Sequence, residues 1–142
     1  QRVDYLIAKL SKARAKVIVP TPTLSEVLVH AGAAANDYVA ALQQNPFQIA
    51  SFGTRAAIEC ADSVRTYGLK TKGSTRAKVK FDRQIVAIAK AEGVDTIYSD
   101  DVDIYKYGKQ AGITVIRSYE LERDPATAQH TLNLGESNEN QP

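Results

Sequence analysis

The stretch AKVKFDRQIVAIAKAEGVDTIYSDDVDI, residues 77–104, carries the strongest structural signals in the chain. Apolar residues recur at helical spacing up to Gly93, a residue that commonly follows the end of a helix, so the pattern predicts a helix over residues 77–92. The β-branched and aromatic residues at 96–99 then predict a strand, which three aspartates follow directly. A helix followed by a strand and a polar loop is the unit from which parallel α/β sheets are built.

Helices and strands also alternate along the rest of the chain. Short apolar runs predict strands at residues 16–20, 47–52 and 113–116, and periodic apolar residues predict helices at 3–14, from 22 onward, 36–44, 54–67 and 103–111. Thr21 is the expected cap of the second helix, because Pro22 suits the first helical position. This alternation predicts an α/β fold with a parallel sheet and helices on both of its faces. Residues 123–142 are polar and predict a C-terminal tail.

The composition excludes several classes of protein and site. At 142 residues and 44% hydrophobic content the chain suits one globular domain, and no apolar run approaches the 18 residues of a membrane-spanning helix. With a single cysteine, Cys60, an internal disulfide and a thiolate zinc site are excluded, and Cys60 is expected to pack as a small apolar residue. Only two histidines are present. A metal would therefore be held mainly by oxygen ligands, which favours Mg²⁺ or Mn²⁺. The expected location of the protein is the cytoplasm.

Carboxylates follow the predicted strands. In parallel sheets, ligands bind at the carboxyl ends of the strands, where Asp101 and Asp103 follow residues 96–99 and Glu26 follows residues 16–20. Asp82 lies at the edge of the apolar face of the 77–92 helix. These acids could also have structural roles that need no metal. Asp101 can cap a helix, Glu26 can complete a capping box with Thr23, and Asp82 can pair with Lys78. Taken together, the acids predict a metal site.

The chemistry that uses such acids is phosphodiester hydrolysis, in which bound Mg²⁺ or Mn²⁺ activates water and neutralises developing charge. Seven basic residues between Arg65 and Arg83, against the single acid Asp82, can attract the phosphates of RNA. The alternative for this basic segment is a solvated loop.

Three segments resemble the PIN domain of VapC-type ribonuclease toxins: VIVPTPTLSEVL at 17–28, FDRQIVAIAKAEG at 81–93 and TIYSDDVDI at 96–104. The resemblance extends over residues 3–121 and implies a three-layer α/β/α sandwich with a central parallel sheet, here a nuclease domain over residues 1–122. It also implies an Mg²⁺- or Mn²⁺-dependent endoribonuclease held silent by a cognate antitoxin and forming a homodimer. The family's catalytic and metal-binding acids correspond to Glu26, Asp82, Asp101 and Asp103. Ser99 corresponds to a supporting hydroxyl residue, and Asp100 falls where the family varies.

One family element is not found. The family's first acid ends its central strand in an apolar-Asp-x-Asn pattern, whereas Asp4 lies inside a predicted helix and does not fit this pattern. We expect the native chain to begin upstream of Gln1. Without that strand, the sheet would divide into two halves with unpaired edges.

Two other functions stay open. A PIN fold without a working metal site would be a nucleic-acid- or protein-binding module. The Asp101-x-Asp103 pair also resembles the nucleophile motif of haloacid-dehalogenase-type phosphatases, but those have Gly-Thr where Ile104-Tyr105 stand here. The sequence identifies neither the RNA and its cut site, nor the antitoxin, nor the number of metals.

Overall fold

A computed structural model describes residues 1–69 and 72–127 of the chain. These residues form six helices and four short strands, and at least one helix separates each strand from the next. The helices are α1 (Arg2–Lys12), α2 (Thr21–Ala31), α3 (Ala35–Leu42), α4 (Thr54–Tyr67), α5 (Arg76–Ala91) and α6 (Val102–Gln110). The strands are β1 (Val17–Pro20), β2 (Phe47–Ala50), β3 (Thr96–Tyr98) and β4 (Thr114–Ile116), and short 3-10 helices occupy Gly32–Ala34 and Ser118–Glu120. The predicted α/β class is confirmed.

All strand pairing is parallel, but the described residues form two sheets instead of one. β1 pairs with β2 in the register Val17 to Phe47, and β3 pairs with β4 in the register Thr96 to Thr114. The single continuous sheet of the predicted sandwich is therefore divided, as the family resemblance implied for a chain without the family's central strand. Within the described residues, β1 and β3 each have one unpaired edge.

A cleft of about 880 Å³ lies between the two sheets. Residues of both β1 and β3 line it, and side chains of α5 such as Phe81 and Ile85 form part of its wall. Leu10 of α1 also reaches it. The cleft is thus mostly apolar along the strands, and it becomes acidic where Glu26, Asp82 and Asp101 line it.

The core is divided in the same way, into two clusters that share α5. The first joins α5 to α6 and the residue that precedes β4, and the second joins α5 to α4 and β2. The buried members of the first are Val79, Val86, Ala89, Ile104, Tyr107 and Ile113; those of the second are Ala50, Ala56, Ala87 and Ile88. Cys60 packs partly buried against the second cluster, as predicted, and burial raises the pKa of its thiol.

Helix α6 lies unusually close to β4. A Cβ atom added at Gly108 would fall inside the contact distance of Val115 Cγ2, so only glycine permits this approach. This close packing helps to hold α6, whose first turn carries Asp103, against β4.

The N-terminal helix packs against the residues that follow β4. Arg2 donates a hydrogen bond to the carbonyl oxygen of Tyr119, and Lys9 Nζ lies 2.9 Å from Glu122 Oε2. The beginning of α1 thus lies near the carboxyl end of β4. The predicted tail at 123–142 stays a prediction, because residues 128–142 and His130 lie outside the described residues.

Several predicted boundaries differ from those observed. Thr21 was expected to cap α2, but it is the first helical residue and Pro20 takes the cap position, without a side-chain hydrogen bond. The second strand ends at Ala50, because residues 51–53 leave the sheet to enter α4. Helix α6 begins one residue before the predicted start, since Asp101 caps it.

Candidate metal centre

Three aspartates converge where α5 and α6 begin. Asp82 lies in the second turn of α5, Asp101 is the N-cap of α6, and Asp103 lies in the first turn of α6. One carboxylate oxygen from each lies within 4.8 Å of the others. The side chains of Asp82 and Asp103 are only 8% and 12% exposed, whereas that of Asp101 is 36% exposed. The predicted grouping of these three acids is thus present in the fold.

The ammonium group of Lys78 lies among the three carboxylates. Its Nζ is 2.7 Å from Asp82 Oδ2 and 3.0 Å from the Oδ2 atoms of both Asp101 and Asp103. The pairing with Asp82 follows from their i, i+4 spacing on α5, which the sequence already suggested. The two bridges to α6 could not be read from the sequence, because they depend on how α5 and α6 pack.

Hydrogen bonds hold Asp101 and Asp103 in place. Asp101 Oδ1 accepts from the backbone N–H of Asp103 at 2.7 Å and of Ile104 at 3.1 Å, so this acid also caps α6. Ser74 Oγ donates to Asp103 Oδ2 at 2.7 Å. Ser99 Oγ accepts from the N–H of Asp101 at 3.2 Å, while its supporting role in the site stays a prediction. Capping and participation in the cluster are therefore compatible for Asp101.

The charge state of the cluster follows from burial and these hydrogen bonds. Burial raises the pKa of Asp82, and the bond from Lys78 offsets only part of this effect. Burial also acts to raise the pKa of Asp101, but the bonds from Lys78 and from two backbone N–H groups outweigh it, so the pKa is lowered. The Ser74 hydroxyl and Lys78 lower the pKa of Asp103. The three carboxylates raise the pKa of Lys78, chiefly through its bond to Asp82, so its charge is held firmly.

Two further acids lie outside the cluster. Asp100 accepts a hydrogen bond from the Ser118 N–H at 2.8 Å and so faces the segment after β4, in agreement with its exclusion from the predicted site. Glu26 is exposed on α2 and lines the same cleft as Asp82 and Asp101. Among the described residues it is not within the 4.8 Å grouping, so its predicted role as a ligand stays a prediction.

The basic segment is less uniform than the sequence suggested. Lys78 is engaged by the aspartates, Arg65 pairs with Asp62, and Arg83 is buried on another side of α5. Lys70 lies outside the described residues, while Lys72, Arg76 and Lys80 are exposed. The charge available to attract phosphates is therefore smaller than the count of basic residues indicates.

The model of the family described as "PIN domain" matches residues 2–110 of the chain. The chain belongs to the PIN-domain family. Among solved structures, this PIN domain is similar to a chain of the "Crystal structure of DNA bound VapBC from Salmonella typhimurium". The two share 13% sequence identity with a TM-score of 0.55, and the match covers 83% of this chain and 85% of the other. At this identity the likeness concerns the fold. A comparison with curated proteins found no match.

The acids of this PIN domain fit a divalent cation. The donor set is made only of carboxylate oxygens, which hard cations such as Mg²⁺ and Mn²⁺ prefer. A positive charge, the Lys78 ammonium, already occupies the space between the three oxygens.

The helices of the described residues include no candidate membrane span.

The stability of the metal-free protein should fall as the pH drops below 3.8, the ordinary pKa of aspartate. The folded pKa values of Asp101 and Asp103 lie below the unfolded one, so their contribution is present above that pH and is lost as the pH falls through the folded values. Asp82 opposes this trend because its pKa is raised. Urea unfolding in EDTA between about pH 6 and 3 should show a weaker loss for Asp103→Asn than for wild type. An identical loss in both proteins would contradict the lowered pKa of Asp103 in the folded protein.

Proposed function

We propose that this PIN domain is a metal-dependent endoribonuclease and the toxin of a toxin–antitoxin pair. The convergence of Asp82, Asp101 and Asp103 at one end of a cleft carries the proposal, because such an oxygen set suits Mg²⁺ or Mn²⁺. The family membership and the fold shared with a VapBC chain support it. A bound cation would supply an activated water and neutralise charge that develops on the phosphate.

Different residues of the chain would have different roles in binding the cation and the RNA. Asp82, Asp101 and Asp103 would hold the cation, with Asp103 oriented by Ser74 and Asp101 by the backbone of α6. Glu26, on the same cleft, would approach from α2 as the fourth acid. The exposed Lys72, Arg76 and Lys80 would attract the RNA backbone. The proposed partners are RNA, an antitoxin protein and a second copy of the chain, in the cytoplasm.

RNA cleavage in Mn²⁺ tests the proposal. Cleavage should be lost in EDTA and should fall at least about a hundredfold in Asp101→Asn, which corresponds to about 2.7 kcal/mol of barrier. Asp100→Asn is the matched control, because its carboxylate bonds to Ser118 instead of the cluster and cleavage should be retained. An active Asp101→Asn protein would overturn the assignment of Asp101 to the catalytic metal site.

A PIN-fold binding module without catalysis is the second candidate. The observation that favours it is Lys78, whose ammonium takes the place in which a divalent cation would lie. The two candidate functions differ in whether a metal ion stabilises the folded protein. A metal that binds only the folded state raises its melting temperature, whereas a silent module shows neither cleavage nor a Mn²⁺-induced shift.

We also propose that a parallel strand fills the cleft between β1 and β3 in the active protein, supplied by residues upstream of Gln1. Both facing edges are unpaired within the described residues, and the cleft between them is largely apolar. Because α1 begins near the carboxyl end of β4 and leads into β1, a strand before α1 would form a parallel βαβ unit of the usual kind.

Amide hydrogen exchange tests this strand. In a chain extended upstream of Gln1, the amides of Ile18 and Tyr98 should exchange more slowly than in the 142-residue chain. These two N–H groups point away from the paired strands and toward the cleft, so new ladder hydrogen bonds would protect them. Equal exchange in both chains would overturn the proposal.

A further inference from the structure

Lys78 connects the aspartate cluster with the open cleft. Its Nζ lies 2.7–3.0 Å from one oxygen of each aspartate, yet its side chain is 44% exposed and lines the cleft together with Glu26 and Asp101. Lys78 belongs to the first turn of α5, and a lysine ammonium is a compact charge on a flexible four-carbon stem. The ammonium can therefore leave the carboxylates without any movement of the helix.

The ammonium lies where a divalent cation would have to replace it. One carboxylate oxygen from each aspartate lies within 4.8 Å of the others, and the ammonium already contacts all three side chains. Two positive groups repel strongly at such short separation, so the ammonium has to move away when a cation is bound. Because Lys78 lies one turn before Asp82 on α5, its stem keeps the displaced ammonium beside the site.

The charge of the metal-bound cluster leaves a role for the displaced ammonium. Three carboxylates carry one more negative charge than a divalent cation neutralises. A phosphodiester is itself an anion and would still meet a negative site, unless a further positive group lies close by. The ammonium of Lys78 offsets this excess charge, and its three N–H donors are free to bind phosphate oxygens once the aspartates no longer hold them.

We propose that Lys78 changes partner during the reaction and acts as a catalytic residue that binds the scissile phosphate. In the metal-free protein it is the counter-ion of the three aspartates. In the metal-bound protein it donates to a non-bridging oxygen of the phosphodiester and stabilises the negative charge that develops there. This inference rests on the proposed nuclease activity. It differs from a blocking role, in which Lys78 only competes with the cation and does not contact the substrate.

The ¹⁵N resonance of the Lys78 ammonium in the wild-type protein follows this change directly. In EDTA, the simple phosphodiester dimethyl phosphate should leave the resonance unchanged, because three carboxylates hold the ammonium. Mg²⁺ should shift the resonance, and dimethyl phosphate should then shift it further and saturably, beyond the effect of sodium chloride at equal ionic strength. A resonance that ignores Mg²⁺, or that responds to dimethyl phosphate only as it does to chloride, would overturn the proposal.

Lys78→Met separates the proposed role from a blocking role. At saturating Mn²⁺ its cleavage of RNA should fall at least about tenfold, although nothing competes with the cation, because the phosphate loses the ammonium contact. Lys90→Met is the matched control: Lys90 lies on the same helix but pairs with Glu59 at 2.8 Å, about 18 Å along the axis from Lys78. It removes one positive charge from α5 and should cleave as the wild type does. Cleavage by Lys78→Met that equals or exceeds that of the wild type would restrict Lys78 to competition with the cation and overturn the phosphate contact.

The two tests distinguish failure of this inference from failure of the proposed function. Wild-type cleavage in Mn²⁺ together with an unaffected Lys78→Met protein refutes the phosphate contact alone. A wild type that neither cleaves RNA nor shows a response of the Lys78 resonance to Mg²⁺ refutes the nuclease proposal, and the phosphate contact with it. Because the resonance is measured on the wild type, the first test decides even if Lys78→Met does not fold.

Discussion

Replacement of Lys78 by methionine is expected to lower the stability of the metal-free protein and to tighten its binding of Mn²⁺. The Lys78 ammonium is the shared counter-ion of three carboxylates, two of which are largely buried. Without it these charges repel one another. Removal of one partner from a buried pair costs about 3–5 kcal/mol, and since the Lys78 side chain is 44% exposed we expect about 1–2 kcal/mol. Urea unfolding in EDTA measures this loss.

The gain in metal affinity has the same cause. A cation that enters the wild-type cluster must displace the ammonium from three oxygens at 2.7–3.0 Å, whereas the variant offers the same oxygens without a competitor. Calorimetric titration with Mn²⁺ should therefore give a lower Kd for Lys78→Met. Lys80→Met is the control, because Lys80 is exposed on the same helix. Equal Mn²⁺ affinity in wild type and Lys78→Met would show that the ammonium does not occupy the cation site.

Asp82→Asn and Asp103→Asn should both abolish Mn²⁺ binding and RNA cleavage, yet change the stability of the metal-free protein in opposite directions. Burial raises the pKa of Asp82, so its charge is unfavourable in the folded state and its removal should stabilise the protein. The pKa of Asp103 is lowered, so its charge is favourable and its removal should destabilise. The substitutions are chemically identical and nearly isosteric, so each serves as the control for the other.

Thermal unfolding in EDTA and in Mn²⁺ measures both effects. Wild type should melt at a higher temperature in Mn²⁺, and neither variant should respond to the metal. Retained cleavage by Asp82→Asn would exclude this residue from the metal site. A loss of metal-free stability in both variants would instead mean that the charge of Asp82 is favourable.

Much of the fold could be predicted from local patterns. The helix from Arg76 to Ala91 and the strand from Thr96 to Tyr98 match the predicted segments closely, because apolar spacing and Gly93 are local signals. The start of α2 was misplaced by one residue, since Pro20 and Pro22 both suit a helix start and only the path of the chain decides between them. The division of the sheet followed from family knowledge and not from periodicity.

The site was predicted in part. Asp101 and Asp103 are separated by one residue in the sequence, and their position after a strand indicated a functional edge. Their distance from Asp82 depends on the packing of α5 against α6, which sequence spacing does not encode. For the same reason Lys78 was recognised only as a partner of Asp82. That Arg83 is buried and forms no ion pair among the described residues could not be seen in the sequence, where it is one of several basic residues.

The divided core has a consequence for cooperativity. Helix α5 contributes Val86 and Ala89 to one apolar cluster and Ala87 and Ile88 to the other, so each half of the molecule is completed by the same helix. Fraying of α5 in either half therefore removes packing from both, and the two halves should unfold as one unit despite having separate sheets. The amides of α5 would then be the last in the molecule to exchange with solvent, and the helix that presents Asp82 would also be its most persistent element.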